Sequence, residues 1–175
     1  MLKNRNMKKL ILILIIICSS CQNKEDRLFD NFIFSAAGLH YDYSVKFASS
    51  DTVFFQKRFP DPKQNYFALI NKKDKQELKQ FIKKLDFTKY DTIYSQENLQ
   101  DGGSLLFSID RANKNHWVFI YGHKAPDELY KFASWLRNFK DKQKLTATSE
   151  NIHFGDLKYL IPPPPPPKVT KVMFK

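Results

Sequence analysis

Cysteine is almost absent from this chain. Its two copies, Cys18 and Cys21, lie close together near the start, and residues 22–175 contain none. That stretch therefore has neither a disulfide nor a thiol nucleophile. Arginine is nearly as scarce, with only Arg27, Arg58, Arg111 and Arg137 beyond residue 20. Nucleic-acid readers lean on arginine for bidentate contacts to phosphate and guanine, so a lysine-rich, arginine-poor chain argues against nucleic acid as a partner. No apolar run approaches the ~20 residues that a helix needs to cross a bilayer. Of the four histidines, His116 and His123 bracket one expected strand; at ~3.3 Å per residue they are about 23 Å apart and do not share an ion. Ser104 follows Asp101, Gly102 and Gly103, but the G-x-S-x-G of a nucleophile elbow is missing and the segment leads into a strand. No cofactor and no metal are expected, and the chain reads as non-catalytic.

What is present begins with an address. Residues 1–9 carry four positive charges, residues 10–17 are uniformly apolar, and Ser19, Ser20 and Cys21 close the pattern. About eight apolar residues make the core of a secretory signal peptide, too short for a membrane span. Small residues immediately before a cysteine resemble a lipobox, where the peptidase binds an extended segment and the thiol receives a diacylglyceryl group. Cys18 stands where leucine is more usual, and Ile17 is too bulky for cleavage ahead of Cys18, so Cys21 is the expected lipidation site. A redox C-x-x-C belongs at a helix start inside a folded domain, which a position behind an export signal does not offer. Acyl chains at ~0.8 kcal/mol per buried methylene then hold the protein to a membrane. Loss of Lys3, Arg5, Lys8 and Lys9 with the leader lowers the formal net charge from +11 to +7. Residues 21–30 make a short polar tether. Within it, Lys24, Glu25 and Asp26 resemble the basic-then-acidic export signal that directs Bacteroidota lipoproteins to the cell surface; the alternative is an outer-membrane lipoprotein facing the periplasm.

The folded part suits one domain with a single core, and no internal repeat is visible. Period-two alternation of Tyr41, Tyr43, Val45 and Phe47 against Asp42, Ser44 and Lys46 predicts a half-buried strand. Ser49, Ser50 and Asp51 turn it into a returning arm at 52–59, ended by Pro60 and Pro62, and 66–70 forms a third strand. Asp74 and Glu77 predict a capping box ahead of Leu78, Phe81, Ile82 and Leu85 at helical spacing. A short strand near 90–94 follows. Residues 105–110 and 116–121 then make a second hairpin around a polar turn at 111–115. Trp117, Phe119 and Tyr121 alternate with Val118 and Ile120, so both faces of that strand are apolar and a central position is expected. Pro126 is expected at the first helical position, with Asp127 and Glu128 complementing the dipole and Leu129, Phe132, Ala133, Leu136 and Phe139 as the buried stripe. The expected class is α+β, an antiparallel sheet with two amphipathic helices on one face, over residues 31–145. Residues 146–161 read as an irregular extension.

This order resembles an uncharacterised domain of many Bacteroidota lipoproteins. The matching stretches are 43–55, 78–85, 87–90, Asp101, 105–121 and 126–136, so the likeness spans roughly 32–139. Members often carry a Cys-Pro pair before the first tyrosine, where this chain has His40, Tyr41 and Asp42. The resemblance implies a fold and an exported address and brings no activity with it.

Three residues are candidate ligand or loop positions. His40 and Asp42 are expected on one strand face at i, i+2; Asp101 matches the aspartate of the resembled domain, and its ordinary role is to cap a loop amide. Pro162 to Pro167 impose polyproline II, a rod of roughly 19 Å at ~3.1 Å per residue, and Val169, Val172, Met173 and Phe174 follow in the 162–175 tail. The rod either presents the tail to a partner or braces the chain's own domain. The expectation is a lipid-anchored interaction module of the outer membrane with an envelope protein or glycan as partner. The alternatives are an immunity-type lipoprotein that blocks a toxin, and a hydrolase or small-ligand binder converging on His40, Asp42 or Asp101. Cys21→Ala is predicted to move the protein from the membrane pellet to the soluble fraction; unchanged retention would contradict lipidation at that thiol.

Overall fold

The structure is a computed structural model that describes residues 28–99 and 102–160. Cys21, Lys24, Glu25, Asp26, Asp101 and the 162–175 tail lie outside the described residues. Within them the elements are β1 (Asn31–Gly38), β2 (Tyr41–Ala48), β3 (Thr52–Phe59), β4 (Gln64–Leu69), α1 (Lys72–Lys84), a 3-10 turn (Phe87–Lys89), β5 (Ile93–Ser95), β6 (Ser104–Arg111), β7 (Lys114–Tyr121), α2 (Asp127–Lys142) and β8 (Thr146–Thr148). The strands form one sheet in the order β5-β7-β6-β1-β2-β3-β4-β8, antiparallel except where β5 runs alongside β7. The class is α+β.

Local chemistry sets the turns. β1 and β2 close through Leu39 and His40, with Gly38 opposite Tyr41. A Cβ at Gly38 would lie 2.9 Å from the Tyr41 ring, so a larger residue there would push that ring aside. β6 and β7 close through Ala112 and Asn113 at φ of 50° and 62°, the conformation whose twist matches a two-residue hairpin. Between β2 and β3 the register shifts: Asp42 pairs with Phe59 and Tyr43 with Lys57, which leaves Arg58 as the extra residue of a bulge.

One face of the sheet is built from rings. Phe34 lies opposite Val45 and Phe107, and Phe32 opposite Phe47 and Ile109, so these side chains share a face. Helix α2 packs on them: Phe132 stacks on Phe32 at 5.3 Å and on Phe107 at 5.9 Å, and Phe139 meets Phe47 at 5.3 Å. Phe81 of α1 stacks on Phe132 at 4.9 Å, and Trp135 Nε1 donates to Glu77 Oε2 at 2.8 Å, which ties the two helices together.

The other face is crossed by the chain after β8. Asn65 Nδ2 donates to the Glu150 carbonyl at 2.8 Å, and Lys46 Nζ to that of His153 at 3.0 Å. Gly155, at φ 75°, passes over Ile33, and Leu157 and Leu160 pack with Ala37 and Leu106. Tyr159 then stacks on Trp117 at 4.8 Å. This strap runs from the β4 side of the sheet over β2 and β1 to β6 and β7.

Several expectations change. β1 was not expected as a strand: Phe32, Ile33 and Phe34 are all buried, because rings cover one side and the strap the other, and alternation vanishes. β7 is second from the edge, not central; its doubly apolar character comes from the strap lying on Trp117 and Phe119. The stretch after 145 is not wholly irregular, since β8 pairs with β4. The N-cap of α1 is Asn71, whose side chain accepts from Asp74 N at 2.9 Å, so the helix starts before Asp74 and Glu77 is free to meet Trp135. Pro126 is the N-cap of α2 and not its first residue. Leu136 is fully buried, so Leu136→Ala is predicted to lower stability by about 2–5 kcal/mol in urea denaturation; a loss under about 1 kcal/mol would contradict the α2 packing.

Candidate functional site

The strapped face carries the polar chemistry of the domain. Register places Ser35, Ser44, Gln56 and Asn65 in one row across β1 to β4. Ser35 Oγ and Ser44 Oγ lie 2.5 Å apart, Arg58 Nη1 donates to Ser44 Oγ at 2.8 Å and to Gln56 Oε1 at 3.2 Å, and Gln56 Nε2 donates to Asn65 Oδ1 at 2.9 Å. Asp42 Oδ1 accepts from Arg58 Nε at 3.0 Å and Nη2 at 2.5 Å. The bulge at Arg58 puts the guanidinium among these groups. Ser35, Ser44 and Gln56 are buried, and a buried polar group without a partner costs about 1–3 kcal/mol. The ladder gives each of them a partner.

Beside the ladder the strap leaves a trough of about 370 Å³. Its floor is Ile33 and Leu106, and Trp117 and Tyr159 make an aromatic wall. Asn115, Asp110 and Asn31 are successive cross-strand neighbours along its end. Asp110 Oδ1 accepts from Asn115 Nδ2 at 2.6 Å and Oδ2 from Asn31 Nδ2 at 3.3 Å, while Asn115 Nδ2 also donates to Ser108 Oγ at 2.8 Å. Lys46, His153, Asp156 and Lys158 complete the lining. Asp156 and Lys158 lie 2.8 Å apart. Their hydrogen bond holds the Asp156 carboxyl below the usual carboxylate range and the Lys158 ammonium above the usual lysine value.

Comparison with known protein families and with curated protein sequences finds no match for this chain.

The candidates expected from sequence do not converge. His40 is an exposed residue of the β1–β2 turn, so it does not share a strand face with Asp42. Asp42 is committed to Arg58, and Asp101 lies outside the described residues. No group of three or more His, Cys, Asp or Glu side chains able to hold a metal occurs among the described residues. A second cluster sits on the ring-packed face, where Lys140 Nζ lies 4.9 Å from the Tyr43 ring. Tyr43 Oη is buried near the Arg137 guanidinium; burial pushes its pKa up while Arg137 pulls it down. That hydroxyl is sealed from the surface and offers a ligand no access. The shallower depression at Lys63, Gln64, Asn65 and Ala147 is an open dish on the β4–β8 edge.

Sequence reasoning missed the trough because its residues come from three distant segments. The available signal was β7, whose second apolar face requires a cover. The ladder generates a test. Removing one partner of a buried ion pair costs more than removing both, because the survivor keeps an unmet charge. Arg58→Met is predicted to cost about 2–3 kcal/mol in urea denaturation, less than the ~3–5 kcal/mol of a fully buried pair, since the Arg58 and Asp42 side chains stay 15% and 19% exposed. Adding Asp42→Leu is predicted to recover part of that loss. A single variant no less stable than the double would contradict the pairing.

Proposed function

We propose that this protein is a lipid-anchored, non-catalytic binding module of the cell envelope that takes its ligand in the strap-walled trough. The observation that carries the reading is the trough itself, in which Trp117, Ser108, Asp110, Asn115 and Lys46 converge over an apolar floor. A cavity that is apolar below, with a few fixed polar groups, is the usual form of a ligand site. Binding is favoured over catalysis because each charged group at the trough already holds a hydrogen-bond or ion-pair partner. Asp110 accepts from two asparagines, Lys46 donates to the His153 carbonyl, and Asp156 pairs with Lys158.

The remainder of the reading rests on sequence pattern. Lipidation at Cys21 places the module on the outer membrane, with Lys24, Glu25 and Asp26 favouring the cell surface. The partner is a component of the envelope, protein or glycan, and the chain belongs with the uncharacterised Bacteroidota lipoprotein domains. Asn31 follows Cys21 by ten residues, so the trough end of β1 stays within about 36 Å of the lipidated cysteine even on a fully extended tether. Both helices cover the sheet face opposite the strap. The contacts of Phe132 with Phe32, Phe107 and Phe81 support that arrangement.

Position-specific photo-cross-linking tests the binding site. A photoreactive phenylalanine analogue at His153, exposed on the trough wall, is predicted to capture an envelope component on intact cells. The same analogue at Lys131, exposed on α2, is predicted not to capture it. No adduct from position 153, or equal adducts from both positions, would contradict the reading.

A further inference from the structure

We infer that the trough is a saccharide site, selective for a neutral, hydroxyl-rich ring. This deepens the binding-module reading and rests on it. The first argument is charge. Lys46 and Lys158 balance Asp110 and Asp156 around the lining, and Asp156 and Lys158 satisfy each other. An anion entering the trough meets the Asp110 carboxylate, and a cation meets the Lys46 ammonium. Two lysines and two aspartates share the lining, so neither ion finds a net countercharge to offset the cost of its desolvation.

The second argument is the donor and acceptor inventory. Both protons of Asn115 Nδ2 are used, on Asp110 Oδ1 and Ser108 Oγ. A carboxylate has about four lone-pair sites and an amide oxygen two, so Asp110 keeps acceptor capacity. The side-chain oxygens of Asn31 and Asn115 have no hydrogen-bond partner among the described residues. Ser108 still has its hydroxyl proton to give, and Lys46 has further N–H groups. The remaining set is rich in acceptors, with donors at its inner side. A neutral ligand carrying several O–H groups matches that set, since each hydroxyl both donates and accepts. A peptide backbone brings one carbonyl for each N–H and would set half its polar groups against acceptors.

The third argument is shape. Asn115, Asp110 and Asn31 stand in one row at the strand spacing of ~4.8 Å, and the Trp117/Ser108/Ile33/Lys46 row lies two residues further along, about 7 Å away. The polar edge of a ring fits the first row while its C–H face lies beside the half-buried Trp117 and Tyr159 rings, with the almost fully buried Ile33 and Leu106 beneath. The volume of about 370 Å³ is near the lower end of ligand cavities and suits one or two sugar rings.

Only two tryptophans occur in the chain, Trp117 and Trp135, so two indole N–H signals report the two sides of the sheet in an NMR titration. The full chain is held in a zwitterionic detergent without a sugar head group. It is titrated with glucose, galactose, mannose, N-acetylglucosamine and lactose, and in parallel with galacturonate and inorganic phosphate. The expected result is a saturable shift of the Trp117 signal with at least one neutral saccharide and none at Trp135. Asp110→Ala is expected to weaken that saccharide at least about tenfold, as loss of hydrogen bonds to a charged group does, and Asn115→Ala, an exposed end of the row, is expected to weaken it with the fold intact. A Trp117 shift only with galacturonate or phosphate would overturn the ligand class and leave the trough as the binding site. No Trp117 shift with any saccharide would overturn the saccharide assignment, while cross-linking from position 153 decides the binding-module reading separately.

Discussion

Strand β1 is shut off from water on both sides, and the two sides are closed by different chemistry. Phe32 and Phe34 meet the rings of α2 and β6, whereas Ile33 and Ser35 lie beneath the strap side of the sheet. A strand buried on one face only needs a single apolar stripe; β1 needs apolar rings below and a paired polar row above. The Ser35–Ser44 contact and the Arg58 bulge satisfy that second requirement. Because β1 bridges β6 and β2, its register also fixes where Asp110, Asn31 and Lys46 stand relative to one another. The trough is thus a consequence of how the central strand is covered.

That dependence explains what sequence could and could not show. The β2–β3 hairpin was legible because Tyr43, Val45 and Phe47 alternate with residues that face the polar side. The helical stripes of Leu78 and Ile82, and of Leu129, Phe132 and Leu136, were legible for the same reason: one face is buried and the period is intact. β1 was not, since a strand covered on both faces loses its alternation. β7 misled in the opposite direction, because an apolar second face can mean a neighbouring layer as well as a central position. The helix cap moved from Asp74 to Asn71 because both positions are followed by an acid three residues on, and only the backbone conformation at Asn71 selects between them. The β1–β6 pairing that brings Asn31 to Asp110 spans 79 residues, a distance that no local spacing records.

The strap changes the meaning of the polar residues on the second face. In an antiparallel sheet with one wet side, Ser44, Gln56 and Asn65 are ordinary solvent-facing side chains. Under the strap they become a hydrogen-bonded row that must be complete, and Asp42, a candidate for chemistry from sequence, becomes the counterion of Arg58. The trough differs in having capacity left over, at Asp110, Asn31, Ser108 and Lys46. It lies alongside the strap, between the strap's contact with Lys46 and its stack on Trp117.

Hydrogen exchange on the full-length protein in its own envelope membranes, compared with the same protein purified in detergent, tests the binding role of the trough most directly. Added protection at Asn115, Trp117 and residues 153–159, with α2 unchanged, is the predicted result. Added protection confined to the outer surface of α2, with the strap and the β6–β7 end unaffected, would contradict it.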